Sequence, residues 1–166
     1  MHVLTVLQIA VAIGVIGVVA GCLNKQTEVT VADGSPPAQM SVCYATTRSV
    51  DICWYSYWAA ACSIVVSLTI SLFNICCPRR KVAFCLSIET VLGLVGAAWW
   101  CGSAIAELVL ANEANAANLP YSTCRTVSWI LCWVNAGLFT LSFLTSAAGC
   151  CAACCGFNDD DYDTDP

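Results

Sequence analysis

The chain has 166 residues, 59% of them hydrophobic and only 10% charged, with a mean hydropathy of +0.76. A chain this apolar is excluded from the ordinary water-soluble domains, and lipid is its expected solvent. The net charge of −5 does not signal a basic partner or nucleic acid, because Asp159, Asp160, Asp161, Asp163 and Asp165 gather five of the eleven acids into one short tail.

A hydrocarbon core about 30 Å thick needs roughly 20 apolar residues in a helix. Four stretches satisfy this: Val3–Leu23, Tyr55–Cys77, Val82–Leu110 and Val127–Ala152. Backbone amides in hydrocarbon must be satisfied within the segment, so each reads as a helix. The expected fold is an all-α, four-helix transmembrane bundle over residues 1–157, followed by a tail at 158–166. The third span is long enough to tilt or to project beyond the membrane. Six tryptophans and five tyrosines suit helix ends at headgroup level. The first stretch can also be read as a signal sequence, with Val19-Ala20-Gly21 before a lipidated Cys22. No Lys or Arg precedes Val3, however, and a signal peptide carries a positive n-region, so a retained helix is the expectation.

The polar stretch Asn24–Trp54 follows the first span. It contains Pro36-Pro37 and the β-leaning run Thr27–Val31, which predict a short hairpin. The second and third spans are joined only by residues 78–81, where Arg79, Arg80 and Lys81 supply half of the Lys and Arg in the chain. Short basic loops stay on the cytoplasmic side, which puts both termini inside and loops 24–54 and 111–126 outside.

Glu89 is the residue of most interest within the spans, because a carboxylate in hydrocarbon costs several kcal/mol unless it is protonated, paired or turned into the bundle. Equal depth on the other helices predicts a polar layer of Glu89, Gln8, Ser71 and Ser142. It reads either as a proton or cation site or as a hydrogen-bonded acid that fixes helix packing. Steps of three and four put Glu89, Gly93, Gly96, Trp100, Ser103 and Glu107 on one inward face. Glu107 falls at the outer interface, where no role is expected. Gly93, Gly96, Gly14, Gly17 and Gly21 are candidate packing sites, the last two spaced as GxxxG. Ser56, Ser63, Ser67, Ser71 and Asn74 form a second polar stripe, expected to bond to the third helix.

Cys43 and Cys53 in the first outer loop are a candidate disulfide. Cys22 and Cys124 are two further accessible thiols on that side, and four cysteines allow three pairings. On the inner side Cys76, Cys77, Cys150, Cys151, Cys154 and Cys155 are candidate palmitoylation sites. A zinc site is less well served, since the Cys150–Cys155 thiols are spaced too tightly for a tetrahedral site. The acidic tail around Tyr162 reads as a solvated run or a sorting address. The one histidine is His2, so no histidine-based catalytic triad or metal cluster can be built, and there is no phosphate-binding loop. No catalytic residue, cofactor or metal is expected.

Trp99-Trp100, the short polar outer loop, Cys124-Arg125 and Ser128-Trp129-Ile130-Leu131-Cys132-Trp133 resemble the second half of MARVEL-domain tetraspan proteins, most of all the fungal ones. The likeness covers the last two helices specifically and the rest by topology. It implies a role in membrane apposition, vesicle trafficking or the organisation of specialised membrane domains. Cys43 and Cys53 instead resemble the first-loop pair of claudin-type tetraspans, although no Trp precedes Cys43 in the loop.

The expected function is therefore a non-enzymatic organiser of membrane domains or vesicle traffic in a eukaryotic plasma membrane or endomembrane. Its expected partners are membrane lipids, other membrane proteins and a second copy of the chain. A small channel, transporter or accessory subunit using Glu89, or a claudin-like junction protein, are the alternatives.

Overall fold

The computed structural model describes residues 2–29, 38–47, 51–76 and 82–155. The chain is an all-α bundle of four long helices, α1 (His2–Val18), α2 (Asp51–Cys76), α3 (Val82–Ala116) and α4 (Ser122–Cys155), each long and apolar enough to cross a membrane.

Its surface is inverted relative to that of a water-soluble protein. Large apolar side chains point outward, among them Val3, Trp58 and Ile75 at 71%, 68% and 69% exposure. The interior is lined by small residues (Ala12, Ala60, Ala97, Ala104, Ala136) and by buried polar ones. This is the distribution expected where lipid solvates the outside and helices associate through close backbone approach rather than hydrophobic collapse.

Close approach is clearest between α3 and α4, which share the most extensive interface in the bundle. A Cβ added at Gly93 would lie 3.0 Å from backbone atoms of Phe143, and one at Gly96 only 2.3 Å from the Phe139 ring. Gly149 receives Leu86. Helix α1 packs on α2 and α4, whereas the backbones of α2 and α3 stay farther apart and are bridged by side chains.

Helical backbone outlasts the apolar runs at the hairpin end of the bundle, the outer end in the expected orientation. Helix α2 begins at Asp51, whose charge favours a helix N-terminus, and α3 continues through Asn112, Glu113 and Asn115 to Ala116. At 1.5 Å per residue the 35-residue α3 is about 52 Å long and must project well beyond a hydrocarbon slab of about 30 Å. Asn118, at φ 54°, ends it: the Leu119 N–H bonds back to the Ala114 carbonyl at 3.1 Å, closing a left-handed cap.

Helix α1 passes into a single π-helical turn, Val19–Leu23, where the Asn24 N–H donates to the Val19 carbonyl. The expected hairpin follows, as β1 (Asn24–Val29) and β2 (Ala38–Cys43) in antiparallel register from Asn24↔Cys43 to Val29↔Ala38. Pro36-Pro37, the basic turn Arg79, Arg80 and Lys81, Cys77 and the acidic tail lie outside the described residues.

Candidate functional site

The buried polar side chains fall into layers that tie the helices together, and an outer cap ties the loops to them. Near the inner end, Gln8 of α1 donates through Nε2 to the Ser142 hydroxyl of α4 at 3.0 Å and accepts from the Ser67 hydroxyl of α2 at 3.2 Å. The structure thus brings Gln8 and Ser142 together, as equal depth predicts. Their partner on α2 is Ser67, fully buried, rather than the half-buried Ser71 one turn below. Glu89, 6% exposed, faces the interior one turn inward of that bridge, between the Leu86–Gly149 and Gly93–Phe143 contacts and level with buried Ser146. The four residues therefore spread over two levels rather than one.

The middle layer is centred on Ser63 of α2. Its hydroxyl accepts from Trp100 Nε1 of α3 at 3.2 Å and from Asn135 Nδ2 of α4 at 3.4 Å. Beside it, between α2 and α3, a recess of about 240 Å³ opens to the lipid side, lined by Ala59, Cys62, Val66, Leu92, Gly96 and Trp99 among others.

The outer layer is built on Glu107 of α3, which accepts from the Ser56 hydroxyl of α2 at 3.0 Å and from the Ser128 hydroxyl of α4 at 2.5 Å. Tyr55 and Ser103 add a further α2–α3 hydrogen bond at 2.9 Å. A carboxylate expected to have no role at the interface instead bridges three helices. The sequence signal was present: Ser56, Glu107 and Ser128 all lie on inward faces.

Arg125 forms the cap above this layer. Its side chain is only 2% exposed although it occupies the first turn of α4, where the helix dipole disfavours a cation. Five hydrogen bonds offset that cost. Nε and Nη2 donate to Asn115 Oδ1 at 3.0 and 2.6 Å, and Nη2 also to the Leu119 carbonyl at 2.8 Å. Nη1 donates to the Pro120 carbonyl at 2.6 Å and to the Tyr44 carbonyl at 2.9 Å. Every acceptor is neutral, so the guanidinium organises loop carbonyls, which its fork of five donors suits. Tyr121, held at φ 67°, packs its ring edge-on against Tyr44 with centroids 5.4 Å apart.

The Cys43–Cys53 disulfide joins the end of β2 to the first turn of α2, with Cα atoms 5.9 Å apart. At the opposite end of the bundle Cys151 is exposed and Cys150 half-buried beside Ser87. Cys76 closes α2 and Cys154 and Cys155 close α4, but their side chains lie outside the described residues. Of the glycines on α1, Gly14 contacts Leu131 of α4. Gly17 and Gly21 face outward, with no atom within 4 Å of an added Cβ. Among the described residues, no three His, Cys, Asp or Glu side chains are grouped as a metal site requires.

Comparison of the chain with protein-family models, with curated proteins and with solved structures finds no match.

What the arrangement can do rests on the geometry alone. Within the spans, Gln8, Ser63, Ser67, Glu107, Ser128 and Ser142 each bond to another helix, so their chemistry goes into holding helices to one another. The outward faces left over are an apolar recess and a bare glycine pair.

Proposed function

We propose that this integral membrane protein organises membrane domains or vesicle carriers through lateral contacts within the bilayer, in the manner its MARVEL-like sequence features imply. The observation that carries this reading is the division of labour in the spans. Polar groups bond inward between helices, while the lipid-facing side offers small-residue and apolar surfaces suited to neighbouring helices and lipids. In this reading acyl chains on Cys76, Cys77, Cys150, Cys151, Cys154 and Cys155 hold the inner ends in ordered lipid. A pair of acyl chains already gives stable anchoring, so six strengthen partitioning rather than attachment.

Replacing those six cysteines with serine tests it. The protein should disperse from membrane patches while remaining fully membrane-bound. An unchanged distribution, together with no incorporation of an alkyne-palmitate analogue into the parent chain, would discard acylation as the mechanism. Proximity labelling in native membranes then reports the partners.

A second reading takes support from Glu89, a carboxyl group buried at the inner end of the bundle. There it serves as the protonatable site of a small channel, transporter or accessory subunit. Reconstituted vesicles should then show a pH-dependent flux that Glu89→Gln alters, and absence of flux from the parent protein removes this reading.

A further inference from the structure

Four cysteines converge at the outer end of the bundle, and the Cys43–Cys53 disulfide accounts for two of them. The others, Cys22 in the π-helical turn and Cys124 in the first turn of α4, carry free, half-buried thiols. These two side chains are neighbours, both packed against the core at the outer end of the bundle.

Two hydrogen bonds to Tyr44 draw the neighbours of both cysteines to the same loop residue. The Tyr44 N–H donates to the carbonyl of Leu23, the residue after Cys22, at 2.8 Å. The Tyr44 carbonyl accepts from Arg125, the residue after Cys124, at 2.9 Å. One residue of the first outer loop, Tyr44, is therefore bonded through its N–H to the main chain beside Cys22 and through its carbonyl to the side chain beside Cys124. Cys22, Tyr44 and Cys124 also pack against the same buried core.

We propose that Cys22 and Cys124 form a second disulfide, which staples the outer end of α1 to the outer end of α4. The proposal rests on the outward orientation of both loops, because that side is the oxidising one. The oxidant is the active-site disulfide of a thiol–disulfide oxidoreductase. The thiolate of one cysteine, after losing its proton, attacks that disulfide, forming a mixed disulfide and releasing one oxidoreductase thiolate. The second cysteine, also deprotonated, attacks the sulfur of the first and expels the other oxidoreductase thiolate. Two thiols are oxidised by two electrons, one disulfide is reduced, and the two protons pass to the departing thiolates.

The bond would act at the end of the α1–α4 pair opposite the Gln8–Ser142 hydrogen bond. Together the two crosslinks would hold β2 to α2 and α1 to α4, leaving α3 to be retained by its close packing on α4.

Mass spectrometry of the full-length chain tests this. Native membranes are capped with N-ethylmaleimide before solubilisation and digested with trypsin without reduction. Cleavage after Lys25 yields an N-terminal peptide whose only cysteine is Cys22, and cleavage after Lys81 and Arg125 yields a peptide carrying Cys85, Cys101 and Cys124. The two should be recovered joined, and the link should vanish in Cys124→Ser but persist in Cys101→Ser. A maleimide-capped Cys22 beside an intact Cys43–Cys53 bond overturns the proposal while leaving the orientation standing. Capping of all four cysteines overturns both. Joining of Cys22 to Cys43 or Cys53 also overturns it, whether or not the serine variants fold.

Discussion

The Arg125 guanidinium donates to the Tyr44 carbonyl at 2.9 Å, linking the first turn of α4 to a loop residue 81 positions earlier. With its bonds to Asn115, Leu119 and Pro120, this makes one side chain the common anchor of both outer loops. Arg125→Lys retains the charge but offers three donors without the planar fork, and leaves loop carbonyls unpaired. A hydrogen bond to a charged group contributes about 1.5–3 kcal/mol, so the loss should reach several kcal/mol. Thermal unfolding in detergent should fall accordingly, with proteolysis appearing first in residues 111–121.

Gly93 and Gly17 make a matched pair of tests. At Gly93 an added methyl meets the Phe143 backbone, which cannot rotate away, and overpacking of this kind costs about 1–3 kcal/mol. Gly93→Ala should therefore destabilise the α3–α4 pair. Gly17→Ala meets open space and should leave the stability of the single chain unchanged.

The outward Gly17–Gly21 pair bears on self-association. If a second copy packs there, Gly17→Leu combined with Gly21→Leu should reduce dimer recovered by crosslinking in membranes, without loss of the folded monomer. Crosslinking yields equal to those of the parent chain would remove this face from consideration.

Gln8→Leu removes both bonds of the inner bridge. Interhelical hydrogen bonds in membranes contribute about 0.6 kcal/mol on average, since the separated helices find other partners for the same groups. The expected loss is therefore only on the order of 1 kcal/mol, read as a modest shift in steric-trapping affinity. A loss of several kcal/mol would mean that Gln8 also supports the neighbouring Glu89 level.

The spans were legible in the sequence because hydrocarbon imposes one rule, a run of apolar residues with internally satisfied amides, and Val3–Leu23 or Val127–Ala152 obey it without tertiary information. The inward faces were legible too, since a 3.6-residue repeat places Trp100, Ser103 and Glu107 in line. Helix registers were less so. Equal depth counted from the ends assumes parallel, evenly placed helices, and a shift of one turn was enough to substitute Ser67 for Ser71 and to separate Glu89 from Gln8. The polar C-terminal end of α3 was missed because apolarity marks where lipid ends, not where helix ends. Arg125 was read as part of a resemblance because three of its five bonds go to backbone carbonyls, which no side-chain pattern reveals. The position alone carried a hint, as a cation at a helix N-terminus needs acceptors from elsewhere.

Protease protection in sealed microsomes with their cytoplasmic face outward tests the membrane arrangement most directly. One epitope is placed between Gly34 and Ser35 in the first outer loop and another after Pro166 in the full-length chain. The tail epitope should be digested and the loop epitope protected until detergent opens the vesicles. Digestion of the loop epitope with protection of the tail would invert the bundle and contradict the outer disulfides and the inner acylation together.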